Sequence, residues 1–131
     1  MRNLRAALVV ATHPQQCKLL VKSFEKLGFK PALAFTVEDA RQALRSSDMA
    51  LVCCAPELLD GTYRDVLPEA LRRKLPLVLV LRQGDCAEYL QAMSEGVFDC
   101  LPVPFSHAEV ARIVRNALGP QVADAGLAIP A

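Results

Sequence analysis

Three stretches constrain this chain more than any others: AALVVAT at 6–12, MALVCC at 49–54 and PLVLVL at 76–81. Each is a continuous apolar run without polar alternation, so each reads as a strand buried on both faces. Such strands need a helical layer on either side of their sheet. None of the runs approaches the ~20 residues that a membrane helix requires. The run at 49–54 is entered from Asp48 and left through Ala55-Pro56 and the turn signal Asp60-Gly61. In an open α/β sheet the carboxyl end of a central strand looks into the crevice where ligands bind. Any chemistry is therefore expected close to Cys53 or Cys54.

The segments between the runs have helical spacing. Pro14 suits a first helical turn, and Cys17, Leu20, Val21, Phe24 and Leu27 then recur on one face until Gly28. Residues 31–35 read as a short edge strand, because Pro31 is tolerated there. Thr36 caps the next helix, Glu38 and Asp39 suit its first turn, and Val37, Ala40 and Leu44 face inward as far as Ser46-Ser47. Residues 62–74 carry Val66, Leu67 and Leu71 as an apolar set, and Pro68 predicts a kink or a later helix start. Residues 85–95 form a further helix stopped by Gly96. A last strand at 98–101 leads into Pro102-Val103-Pro104-Phe105. Ser106 and Glu109 have the form of a capping box, followed by Val110, Ile113, Val114, Ala117 and Leu118 on one face and by Gly119-Pro120. The expected organisation is one domain over 1–119 and an Ala/Gly/Pro-rich linker or tail over 120–131. Five βα repeats point to an α/β fold with a doubly wound, five-stranded parallel sheet and right-handed crossovers.

The charge balance narrows the function classes. Fifteen basic against fourteen acidic residues give a net charge of +1, which provides no field for nucleic acid or anionic lipid. The amino terminus lacks the apolar stretch of a signal peptide, so a cytoplasmic location is expected. The five cysteines (Cys17, Cys53, Cys54, Cys86 and Cys100) form no CxxC pair. An odd count in a cytosolic chain implies free thiols.

Several blocks, in this order and spacing, resemble the receiver domain of two-component response regulators. They are Leu8-Val9-Val10 before Pro14, Asp48 through Asp60-Gly61, Pro76-Leu-Val-Leu-Val, Glu95-Gly96-Val97-Phe98-Asp99 and Leu101-Pro102-Val103-Pro104-Phe105. The resemblance covers residues 4 to about 118. It implies a flavodoxin-like fold with strand order 2-1-3-4-5, and a cis peptide before Pro104. It also implies a phosphorylation pocket whose positions are all substituted here. The acidic pair that holds Mg²⁺ is replaced by Ala11 and Thr12, and the phosphoacceptor aspartate by Cys53. The hydroxyl residue is replaced by Leu81, the phosphate-pairing lysine by Val103, and the aromatic switch residue of the last strand by Cys100. Without carboxylates and lysine nothing offsets the charge of a transferring phosphoryl group. The implied protein is a degenerate pseudo-receiver with no Mg²⁺ site and no enzymatic activity. It would dock a protein partner or output domain, or form a homodimer, through residues 85–118.

Other readings stand beside this one. Cys53 as a nucleophile or redox sensor needs a cation or helix start nearby, but its sequence neighbours are apolar, which favours a buried small hydrophobe. A Cys53–Cys54 disulfide is disfavoured because alternate strand residues point to opposite faces. His13, Cys53 and Cys86 would share one sheet edge and form a soft metal set, though without motif spacing. The substituted pocket could also take a neutral ligand. Arg72-Arg73-Lys74 is a basic cluster that a helix carboxyl terminus accounts for by itself.

Overall fold

In the computed structural model, which describes residues 5–119, the three apolar runs lie side by side in one parallel sheet. The strands are β1 (Arg5–Val10), β2 (Phe29–Ala34), β3 (Met49–Cys54), β4 (Leu77–Arg82) and β5 (Asp99–Val103). They are ordered β2-β1-β3-β4-β5, the doubly wound arrangement read from the sequence. The helices are α1 (Lys18–Lys26), α2 (Val37–Ser46), α3 (Tyr63–Arg72), α4 (Cys86–Glu95) and α5 (His107–Leu118). The expected tail at 120–131 lies outside the described residues. No helix among those described is long and apolar enough to cross a membrane.

β3 is the centre of the sheet, paired with β1 through Val9–Cys53 and Val10–Cys54 and with β4 through Cys53–Val78 and Cys54–Leu79. Its side chains alternate between two cores. Leu51 and Cys53 pack with Leu20, Phe24, Val110 and Ile113 of α1 and α5. Val52 and Cys54 pack with Leu44, Tyr63, Val66 and Ala92 of α2, α3 and α4. That double burial is why the run shows no polar alternation.

Helix starts follow the expected caps. The Thr36 hydroxyl accepts from the Asp39 amide at 3.0 Å, and Ser106 forms both halves of a capping box with Glu109. Asp60 does more than make a turn. Its carboxylate accepts from the Val37 and Glu38 amides at 2.6 and 3.3 Å, so the loop after β3 caps α2 from across the chain. The same loop forms a short antiparallel hairpin between Glu57–Leu58 and Gly61–Thr62 that sequence periodicity does not reveal.

Several details differ from the sequence reading: β2 begins at Phe29 and ends at Ala34 where 31–35 was expected, and β5 spans Asp99–Val103 where 98–101 was expected. α3 starts at Tyr63, five residues before Pro68, where Thr62 and Asp65 form a capping box, and it continues through the proline. Leu71 is largely exposed, while Tyr63, Val66, Leu67 and Ala70 make the buried face. The region after Pro14 opens as a 3-10 turn, Pro14–Cys17, before α1 proper.

Carboxylates tie the helices to one another. Glu69 of α3 is 4% exposed and meets Arg73, Arg72 and Arg45 at 3.0, 3.4 and 3.6 Å. Glu95 of α4 accepts from the Tyr63 hydroxyl at 2.6 Å and from Arg64 Nε at 2.9 Å. The Arg73 hydrogen bond holds the Glu69 carboxyl below the ordinary 4.5, and the Tyr63 and Arg64 bonds do the same for Glu95. The Val37 amide lowers Asp60.

Two outcomes are expected. Leu51, with no exposed surface, cannot be truncated without a cavity, so Leu51→Ala should cost about 2–5 kcal/mol in urea unfolding. The three lowered carboxyls mean that the unfolded chain binds more protons than the folded one in acid. Their contribution is therefore complete above the ordinary carboxyl range and is lost as pH falls through the folded values. The urea midpoint should hold steady down to about pH 6 and decline below it. Glu69→Gln should flatten that decline.

Candidate functional site

The carboxyl ends of β1, β3, β4 and β5 converge on one crevice of about 680 Å³. Backbone bonds beyond the strand ends hold its walls together. The Ala11 amide donates to Ala34 at 3.0 Å, Ala55 to Val10 at 2.8 Å, and Gln83 to Val103 at 3.2 Å. The Val103–Pro104 peptide is cis, as the resemblance implied. Sequence reasoning placed a pocket here because β1 and β3 point their carboxyl ends the same way.

Four of the five expected pocket positions line the crevice: Ala11, Thr12, Leu81 and Val103. Cys53 does not. It is 3% exposed and belongs to the core under α1 and α5, while Ala55 and Pro56 present the end of β3 to the crevice. Cys54 is fully buried on the opposite face of the sheet, in the same core as Leu81. Cys100 is half-buried against that second core. Val9, Val10, Leu19, Leu20, Val80 and Phe105 make the remaining apolar lining. Glu57, Arg82, Asp85 and Glu88 supply charge. No periodicity marks a function at any of them: Glu57 lies in the hairpin, Arg82 ends β4, and Asp85 and Glu88 sit at the cap and first turn of α4.

The thiols of Cys53, Cys54 and Cys100 are positioned to be inert. Burial pushes Cys53 up to about 12 and Cys100 up to about 11, and raises Cys54 as well, with the neighbouring Cys53 adding to the shift. A thiol held in this way is a poor nucleophile at neutral pH. The Cys54 Sγ donates to the Ala55 carbonyl at 3.2 Å.

The alternative soft metal set of His13, Cys53 and Cys86 gains nothing from the geometry. His13 and Cys86 are exposed whereas Cys53 is buried. Among the described residues no three or more His, Cys, Asp or Glu side chains gather as a metal group. Mg²⁺ demands several oxygen ligands in near-octahedral order. An alanine, a threonine and a buried thiol at the implied positions do not fit that ion.

The whole fold has clear counterparts among solved structures. A response regulator receiver domain protein from Clostridium thermocellum superposes with a TM-score of 0.78 at 18% identity, over 90% of this chain and 97% of that one. The fold is a receiver fold. A signal receiver domain of an HD domain-containing protein from Pseudomonas fluorescens gives 0.77 at 21% identity, over 88% and 95%. The receiver domain of a sensor histidine kinase from Pseudomonas aeruginosa, with a magnesium ion coordinated in its active site cleft, gives 0.78 at 17% identity, over 88% and 98%. The sequence matches no protein-family model and no curated protein. At such identities the backbone of a receiver is retained while the side chains that line its crevice are free to differ.

Burial also sets an order of thiol reactivity. In native protein at neutral pH, maleimide should label exposed Cys86 rapidly and leave Cys53 and Cys54 unlabelled until denaturant is added. Peptide mass mapping after timed quenching reads the order.

Proposed function

We propose that this chain is a pseudo-receiver: a regulatory module that acts through protein contacts, without Mg²⁺, aspartyl phosphorylation or enzymatic turnover. The observation that carries the reading is the crevice itself. Where phosphoryl transfer needs carboxylates, a hydroxyl and a lysine at set positions, Ala11, Thr12, Leu81 and Val103 stand there, with Cys53 sealed beneath. The crevice also carries Glu57, Asp85, Glu88 and Arg82, but among the described residues no three acidic, histidine or cysteine side chains gather as a metal group. An apolar wall at the substituted positions neither gathers a hard cation nor neutralises a transferring phosphoryl group.

The partner would be a protein, an output domain or a second copy in bacterial-type cytoplasmic signalling. Support comes from α4, which buries only Ala92 fully and leaves Tyr89 and Leu90 in solvent at 40% and 66% exposure. Phe98 and Val103 add exposed apolar surface within the same 85–118 segment. A partner able to distinguish two arrangements of α4 would regulate the domain by population shift alone.

A second reading is favoured by the size of the crevice. A volume of about 680 Å³ with a largely aliphatic lining lies in the range of small-molecule sites. In that reading the substituted pocket senses a neutral ligand. A thiol-based sensor at Cys53 has less support, because its thiol is sealed and raised.

The distinguishing experiment adds Mg²⁺ with beryllofluoride or acetyl phosphate and records amide shifts and intact mass. The pseudo-receiver reading expects an unchanged mass and unchanged amides at 11–12, 53–56, 81–82 and 103. A covalent phosphoryl adduct, or shifts confined to those residues, would overturn it. A neutral molecule that raises the unfolding midpoint of the wild type, but not of Leu81→Arg, would favour the ligand reading.

A further inference from the structure

The seam between α2 and α3 carries a feature that neither the fold nor the crevice requires. Glu69 is almost fully buried, yet three guanidinium groups converge on it: Arg72 and Arg73 from the last turn of α3 and its cap, and Arg45 from the last turn of α2. One cation is enough to neutralise a carboxylate, so three leave a surplus of positive charge at one spot. A helix terminus explains Arg72 and Arg73. It explains neither Arg45, which comes from the neighbouring helix, nor the burial of the glutamate on which all three meet.

The geometry fixes the cations while leaving them available. Each guanidinium reaches Glu69 through a single nitrogen and keeps its remaining N–H donors. The Arg45 and Arg72 side chains are 59% and 69% exposed. Glu69 thus acts as an internal anchor that holds arginine forks in place without covering them, which lowers the ordering cost of binding. Beside the cluster a surface recess of about 400 Å³ is lined by Arg41, Gln42, Arg45, Ser46 and Glu38. Arg41 is itself fixed, its Nε donating to the Asp65 carbonyl at 3.2 Å.

We infer that the α2–α3 seam docks an acidic segment of a partner protein, its carboxylates held by Arg45, Arg72 and Arg73. Forks of this kind match carboxylate geometry. Nucleic acid is the poorer match, since a duplex footprint typically draws on about 6–10 cations and this seam offers fewer. The net charge of +1 provides no wider field to supply the rest. The three arginines belong to α2 and to α3 and its cap rather than to the 85–118 segment, and the inference holds whether or not the crevice takes up a phosphoryl group.

The test titrates the protein into a fluorescein-labelled oligoglutamate peptide at low salt and reads anisotropy. Arg45→Gln combined with Arg72→Gln leaves Glu69 paired to Arg73 at 3.0 Å, and circular dichroism checks that the fold persists. That pair should weaken binding about tenfold, whereas Lys18→Gln with Lys22→Gln, which removes the same charge from α1, should leave it unchanged. Added salt should weaken the wild-type complex. On titration, wild-type amide shifts should cluster on α2 and α3, a readout that needs no variant. Equal losses in the two double variants, shifts centred elsewhere, no wild-type binding, or tighter binding of labelled duplex DNA would each overturn the inference.

Discussion

The structure depends on one strand being buried on both faces. β3 sends Leu51 and Cys53 into the core under α1 and α5, and Val52 and Cys54 into the core under α2, α3 and α4. It pairs with β1 along most of its length and with β4 through Val52–Cys54, so its carboxyl half is held in the sheet from both edges. Parallel neighbours must be joined by crossovers, and right-handed crossovers distribute the helices over both faces. The crevice follows from the same constraint, because strands that all run one way deliver their loops to a single edge.

Charge in this molecule has been placed away from that edge's floor. The carboxylates that hold the fold together lie on seams: Asp60 caps α2, Glu69 joins α2 to α3, and Glu95 joins α3 to α4 through Tyr63 and Arg64. The crevice floor is aliphatic, with Glu57, Arg82, Asp85 and Glu88 among its other lining residues. In a magnesium-binding receiver the crevice must spend stability on close carboxylates that repel one another. In this chain β3 runs apolar to its end, and Ala11 and Thr12 follow β1. The Pro56 carbonyl accepts from the Tyr63 amide, and the Tyr63 hydroxyl donates to Glu95. The rim of the crevice is thereby connected to α4 through one residue.

Most of the elements were legible because their signals are local. Continuous apolar runs marked β1, β3 and β4, and β3 spans 49–54 as read. Thr36, Ser106 and the stop glycines marked helix ends, since a cap concerns only neighbouring amides. The errors fell where a local rule met a competing one. Pro68 argued against an uninterrupted α3, but the capping box of Thr62 and Asp65 begins the helix earlier. Leu71 was assigned inward by hydrophobicity, whereas the face set by Tyr63, Val66 and Ala70 turns it outward. At the site, Ala11, Thr12, Leu81 and Val103, which counting along the chain placed at one sheet edge, line the same crevice. Cys53 sits in the core, as its apolar neighbours suggested, but nothing in the sequence showed that Ala55 and Pro56 face the crevice in its place, because strand direction at an end depends on where the strand leaves the sheet.

By itself, then, the sequence determined the layered α/β architecture, the centrality of 49–54 and the absence of a lysine or carboxylate at the positions the resemblance names. These are properties of residue type and period, which need no knowledge of what lies across the fold. Only the tertiary structure decided that Asp60 caps a helix begun earlier in the chain, that Glu95 secures α4 to Tyr63, and that Arg45 joins Arg72 and Arg73 on a buried Glu69. Each of these pairs residues more than twenty positions apart. Electrostatic contacts act through space over a few ångströms, so no one-dimensional pattern records them.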